Sequence, residues 1–441
     1  MRCECGRRFA SNVNRSANCK RCGRLLQVSK SSHQRDTSHY WANFPICKAC
    51  PNWGKRGGSV GCLLHPVKPC SIQDDLINGS PCLDAAAPRF DGQKFKRGGV
   101  GFIAVSYQET GGTEVWHQTL LPRLANVCGF VAVDHTGGDF EKLGCPHGKG
   151  MTQAAILAEA SETIVVWGLG DRLGKILSNV RNKPRVISVS HCDHRSSWTR
   201  EFMKAQERWT DQAVHLCPSG IETIPQALRM NAALIPNAAD PSRCKSTTDR
   251  ETIRESIGLQ PDDIGLLVTS RISKEKRIHV LAAAMPYLPP NYKLIICGPR
   301  SSWCPRYFDS AASHPNVIML DPVDHPGDLL NASDAVVSAS TYEGYGLAMA
   351  EGILAGKPLI ATQTGLLEDH PELARIVPLK SSPRVWAIKI AADFESGLQS
   401  IRAQNAKRWL EENHSVDHFV SGWEEIASSS DCNRNTSCVN A

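Results

Sequence analysis

Two carboxylates, Glu343 and Glu351, stand with seven residues between them in the stretch STYEGYGLAMAEGILAGKPLIATQTGLLE, which runs from Ser340 to Glu368. Leu347, Ala350, Glu351, Leu354 and Ala355 recur at the spacing of one helical face, and Gly356 and Pro358 end that helix. Leu359–Thr362 then reads as a short buried strand. Gly344 and Gly346 come just before the helix, where a missing Cβ lets a ligand approach the backbone. Free N–H groups and the helix dipole at that end favour a phosphate. Glu343 precedes the turn and Glu351 lies two turns in, so both can face one cleft as acceptors for sugar hydroxyls. Tyr345 and Leu347 complete the candidate binding segment. An anion cradle between two carboxylates suits a nucleotide sugar. The competing reading is an amphipathic helix whose glutamates face solvent.

These groups need elements to hold them. Val100–Tyr107 (VGFIAVSY) is apolar enough for a buried parallel strand, and Gly111-Gly112 follows it at the start of a helix carrying Trp116, Leu120, Leu121 and Leu124. That strand–glycine–helix turn is a second backbone anion site. Strands are then expected at Gly129–Asp134, Thr163–Trp167, Arg185–Ser190 and Asp211–Pro218, with helices at Thr152–Ala160, Leu173–Val180 and Ile221–Leu228, the last capped by Ser219. A second series of strands is expected at Ile264–Ser270, Lys293–Gly298, Asn316–Leu320 and Asp334–Ser338, with closing helices at Trp386–Ser400, Ile401–Glu412 and Val416–Ala427. This alternation predicts α/β architecture with doubly wound parallel sheets, which bind ligands at the carboxyl ends of their strands. His191 stands at such an end, with His194 beside it.

The EGYGLAMAE segment, continued by GKPLIAT and Gly365, resembles the E-x7-E signature of retaining GT-B glycosyltransferases, the "glycosyl transferases group 1" family. The resemblance runs over roughly residues 98–427. It extends to Ala233–Asp240 (ALIPNAAD), similar to the family's I-P-N-G-V-D linker with Ala238 in place of glycine, and to Arg271–Arg277 (RISKEKR), similar to G-R-L-x-x-x-K-G. It implies that Arg271 and Lys276 hold the donor diphosphate together with the turns at Gly111, Gly112, Gly344 and Gly346. It also implies Glu351 on the ribose, Glu343 on the sugar, and His191 or its alternative His194 against the transferring sugar or the acceptor. A leaving nucleoside diphosphate gains negative charge as the glycosidic bond breaks, and two fixed cations stabilise it. Ser270 and Arg277 stand where the family has glycines.

The first 90 residues differ from the rest. Nine of the 18 cysteines precede residue 83. Cys3, Cys5, Cys19 and Cys22 form C-x-C-G-x12-C-x-x-C-G, a spacing suited to a tetrahedral structural zinc. Cys47, Cys50, Cys62 and Cys70 form a second set, with Cys82 and His65 as further possible ligands. Free thiols are the plain alternative for both sets, and an iron–sulfur cluster is a remote one for the second. Pairs of this kind point to metal in a reducing cytoplasm instead of a disulfide framework. Residues 1–100 hold 17 Lys and Arg against 6 Asp and Glu, a balance of +11, so with +6 overall the remainder carries −5. Few aromatics and no base-reading helix accompany this charge, so nucleic acid is not the expected partner.

The expected organisation is a cysteine-rich module at 1–90, an acceptor domain at 98–240, a donor domain at 241–427 and a disordered tail at 428–441. The function expected from the resemblance is metal-independent retaining transfer, of hexosyl type, from a UDP- or GDP-sugar to a glycan, lipid or protein acceptor, with polysaccharide biosynthesis as the setting. No cofactor is expected for catalysis. No apolar run approaches the ~20 residues of a membrane span and no signal region opens the chain, so a cytoplasmic protein is expected, with peripheral attachment to the inner membrane face as the alternative. The alternative is a non-catalytic zinc-ribbon adaptor that binds a nucleotide sugar or glycan.

Overall fold

The computed structural model describes residues 95–108, 111–301, 304 and 308–428, together with four short strands nearer the amino terminus. Those strands form two antiparallel pairs, Ala17–Asn18 with Leu25–Leu26 and Trp53–Arg56 with Ser59–Cys62. They belong to a compact unit, Met1–Ala86, distinct from Ala87–Ala441. The side chains of the eight expected zinc ligands, of Cys82 and of His65 lie outside the described residues, as does the tail after Ser428.

The larger unit is built on two parallel sheets. The first contains β1 (Val100–Tyr107), β2 (Val127–Thr136), β3 (His147–Lys149), β4 (Thr163–Trp167), β5 (Arg185–Ser190), β6 (Gln212–His215) and β7 (Ala233–Leu234), in the order β7-β6-β5-β4-β1-β2-β3. The second contains β8 (Ile264–Thr269), β9 (Tyr292–Cys297), β10 (Val317–Leu320), β11 (Ala335–Ser338), β12 (Leu359–Ala361) and β13 (Arg375–Ile376), in the order β10-β9-β8-β11-β12-β13. Every pairing in both sheets is parallel. Such strands are covered by helices on both faces, which is why they read as unbroken apolar runs; seven of the eight residues of β1 are buried. Each order reverses beside its first strand, β1 next to β4 and β8 next to β11, and such reversals open a crevice at the carboxyl ends.

The alternation expected from sequence is observed, with strand ends moved by up to three residues. The helix expected over Ile221–Leu228 is not. A 3-10 turn spans Pro218–Thr223 and a separate short helix spans Gln226–Arg229. Pro225 lies between them, and its ring and missing N–H prevent one helix from running through. Ser219 therefore caps nothing; the residue before the turn is Cys217. Strand β3 lay hidden in the polar segment Asp134–Gly150, and the helix Arg250–Ser256, capped by Asp249, was also missed.

The last helix, Val416–Ser428, returns to the first sheet. Trp423 is fully buried with its ring 5.2 Å from that of Trp116, and Thr163 and Arg185 donate hydrogen bonds to the carbonyls of Ala427 and Ile426 at 3.3 and 2.5 Å. The chain thus ties its final element to the lobe it left near Asp240, whose carboxylate accepts from Arg123 of that lobe at 2.7 Å.

Candidate active site

The site follows from the two reversal points. After β8 the chain turns through Ser270 and Arg271 toward Lys276, and after β11 it turns through Ser340 toward Glu343. These turns bring together residues far apart in sequence. Lys276 Nζ lies 2.6 and 2.7 Å from the two oxygens of Glu343, and Ser340 Oγ donates to Glu343 Oε1 at 2.6 Å. Arg277 follows with φ 50°, a left-handed position where the family pattern has glycine. Arg271 is exposed and makes no hydrogen bond or ion pair among the described residues. A fixed ammonium, a carboxylate and an unengaged guanidinium stand in one cleft.

That cleft, about 200 Å³, is lined from one side by Gly111, Gly112 and Glu114 and from the other by Arg271, Lys276, Glu343, Gly346, Leu347 and Glu351. A Cβ on Gly112 would lie 3.9 Å from Leu347 Cδ1, so the two glycine turns oppose each other across the gap. Gly346 has φ 92° and caps the helix Leu347–Leu354, a conformation that favours glycine. Gly111 serves a different purpose from the expected one. A Cβ there would fall 2.4 Å from Glu114 Oε2, so its bareness admits a buried carboxylate, which accepts from the Gln108 N–H at 3.1 Å. Burial pushes the Glu114 carboxyl up from its usual range, against the lowering effect of that hydrogen bond and of Arg271.

Three expected site residues lie elsewhere than the sequence suggested. Gly344 is needed because a Cβ would sit 1.8 Å from the carbonyl oxygen of His191, so it admits the opposite lobe's backbone and not a ligand. Tyr345 is buried away from the cleft, with its hydroxyl 3.0 Å from His414 Nδ1. His191 stands edge-on between Trp116 and Trp167, at 5.0 and 5.5 Å, and is not among the residues that line this cleft. Its Nε2 is buried without a hydrogen-bond partner among the described residues, and burial holds the imidazole well below its usual pKa. Its neighbour His194 clusters with Asp193 and Glu368 instead.

Glu351 is buried at 5% exposure and pairs with a residue the sequence did not single out: Arg243 Nε donates to Glu351 Oε1 at 2.8 Å. Arg243 lies in the short helix Pro241–Cys244, 108 positions earlier, so no local pattern reports the pair. Lys142 and Asp324 also join the lobes, at 2.8 Å.

Comparisons with known proteins agree with this geometry. Residues 249–370 match the family described as "Glycosyl transferases group 1". Over 189 residues the chain is 27% identical to an uncharacterized glycosyltransferase of Methanocaldococcus jannaschii, covering 40% of this chain and 47% of the relative. Over 126 residues it is 29% identical to a D-inositol 3-phosphate glycosyltransferase of Xylanimonas cellulosilytica, covering 27% and 30%. The chain thus spans less than half the length of either relative. Among solved structures, Anabaena HepE in complex with UDP and glucose superposes with a TM-score of 0.66 at 18% identity, covering 75% of this chain and 99% of that one. The sucrose-phosphate synthase of Thermosynechococcus elongatus gives 0.59 at 16%, covering 75% and 98%. The fold is GT-B, two Rossmann-like lobes facing a cleft.

Proposed function

We propose that the chain is a retaining glycosyltransferase that moves a hexosyl group from a nucleoside-diphosphate sugar to a hydroxyl of a glycan, lipid or other acceptor. The observation that carries this reading is the Lys276–Glu343 pair beside the unengaged Arg271, at the reversal of one sheet and opposite the glycine turn of the other. In this assignment Arg271 and Lys276 hold the donor diphosphate, Glu351 takes the ribose and Glu343 the sugar. As the bond from C1 to the diphosphate oxygen breaks, the two cations stabilise the charge on the leaving group. The acceptor oxygen bonds to C1 on the same face, and its proton passes to the departing phosphate oxygen, so no carboxylate nucleophile or divalent ion is required. His191, which is not among the residues lining this cleft, keeps the expected sugar or acceptor role in this reading only through its unpartnered Nε2. Zinc bound by the amino-terminal cysteines belongs to the same proposal.

The test is release of nucleoside diphosphate from UDP-, GDP- and ADP-sugars, starting with UDP-glucose because the Anabaena neighbour was solved with UDP and glucose. Slow hydrolysis of one donor, lost in Lys276→Ala and Glu343→Ala, is the expected result. Tight donor binding with no turnover under any acceptor mixture would instead favour the adaptor.

A further inference from the structure

Glu351 is an acceptor that the surrounding protein does not favour as an anion. It sits in the second turn of its helix, buried, and burial pushes its carboxyl up from the usual range, with Arg243 acting in the opposite direction. A protonated acid offers fewer lone pairs to a sugar hydroxyl than a carboxylate. What keeps it in acceptor form is therefore a question of its neighbours.

Arg243 is placed for that task. Its Nε donates to Glu351 Oε1 at 2.8 Å while Nη1 donates to the Asp324 carbonyl at 2.7 Å, so the planar guanidinium is held at both edges. Oε2 of Glu351 makes no hydrogen bond among the described residues, which leaves one carboxylate oxygen for a ligand. Both Arg243 and Glu351 line the cleft. The remaining charged or titratable groups near the carboxylate are Asp240, which opposes its ionisation, exposed His325, which favours it, and the thiol of Cys244, which burial pushes up to about 12. Lys407 reaches the end of the same helix from Gln399–Asn413. None of these replaces the contact at Oε1.

Arg243 also stands where the lobes are joined. Asp240, three residues earlier, pairs with Arg123 of the first lobe, and Asp324, whose carbonyl Arg243 holds, pairs with Lys142 of that lobe.

We propose that Arg243 is a positioning residue that holds Glu351 in one orientation for the vicinal hydroxyls of the donor ribose, and so sets the preference for ribonucleotide over 2′-deoxyribonucleotide donors. This rests on the donor reading above. The experiment is calorimetric binding of UDP against 2′-deoxy-UDP, and of GDP against 2′-deoxy-GDP, from pH 6 to 8.5, for wild type, Arg243→Met and Arg243→Lys. Wild type prefers the ribonucleotide by roughly 10- to 100-fold at every pH, the size of one charge-assisted hydrogen bond. In Arg243→Met the preference falls by about 10-fold, and the loss becomes smaller as pH rises, because burial then raises the Glu351 carboxyl without the opposing guanidinium. A Met variant that melts like wild type and keeps the full preference at all pH values overturns the inference. If that variant does not fold, Arg243→Lys decides: a reduced, pH-independent preference supports it and an unchanged preference overturns it. Wild type that binds nucleotide without preferring ribose overturns this inference alone, whereas wild type that binds neither UDP nor GDP removes the donor reading as well.

Discussion

Lys276 Nζ sits 2.6 Å from one oxygen of Glu343 and 2.7 Å from the other, so a single ammonium spans a whole carboxylate, with both side chains less than a fifth exposed. Removing either partner strands the other in a half-buried site. Lys276→Ala and Glu343→Ala are each expected to lower donor hydrolysis by roughly 100-fold or more, the scale of losing one preorganised charge contact in a transition state. Steady-state release of nucleoside diphosphate measures this, and activity within a few-fold of wild type in both variants would remove the pair from the mechanism.

Gly344 and His191 meet backbone to backbone across the lobes. A Cβ at Gly344 would lie 1.8 Å from the His191 carbonyl oxygen, so Gly344→Ala forces the lobes to shift. The cost is expected at about 1–3 kcal/mol, seen as a melting temperature lower by a few degrees and as slower turnover. Gly137→Ala is the control, because no atom lies within 4 Å of its Cβ position and it is expected to melt like wild type.

Trp423 anchors the last helix on the first lobe through its edge contact with Trp116. Trp423→Ala is expected to destabilise by about 3–5 kcal/mol, and Trp423→Phe by clearly less, in denaturant titrations. Equal stability of Trp423→Ala and wild type would mean that this helix is not bound where the structure puts it.

A buried imidazole, His117, and a half-buried one, His414, make stability depend on pH. Burial lowers His117 to about 3 and His414 to about 4, so both are neutral in the folded chain where the unfolded chain, near 6.5, begins to bind protons. Below about pH 6.5 the unfolded state binds more protons, so stability is full above that value and is lost as pH falls toward 4. His117 Nδ1–H donates to the Thr113 carbonyl at 2.8 Å. His117→Gln retains a donor without the titration, and is expected to show a shallower fall in melting temperature between pH 6.5 and 4. An unchanged slope would assign the effect to other groups.

Elemental analysis addresses the cysteines. Two zinc ions per chain are expected, one from Cys3, Cys5, Cys19 and Cys22 and one from the set beginning at Cys47 and Cys50. Cys19→Ser should lower the content by one, and a preparation from zinc-replete medium holding no metal would leave the free-thiol reading.

What the sequence determined by itself was the run of buried apolar strands and the helix starts marked by glycine, though not the short helices and strands set among polar residues. Buried parallel strands had to be apolar throughout, so β1, β4 and β5 were legible to the residue, and the glycine turn before Leu347 marked its helix start. The family resemblance supplied Arg271, Lys276, Glu343 and Glu351 as a set. Tertiary structure alone decided what each of them touches, because those contacts join positions far apart in the chain that meet only once the second sheet and the helices packed on it are assembled. Glu343 meets Lys276 across 67 positions and Glu351 meets Arg243 across 108. Tertiary packing likewise turned Tyr345 into the core, set the bare Gly344 against the His191 carbonyl of the other lobe, and put His191 between two tryptophans. A spacing pattern records which face of an element is apolar. It carries no record of which neighbour that face, or a charge upon it, will meet.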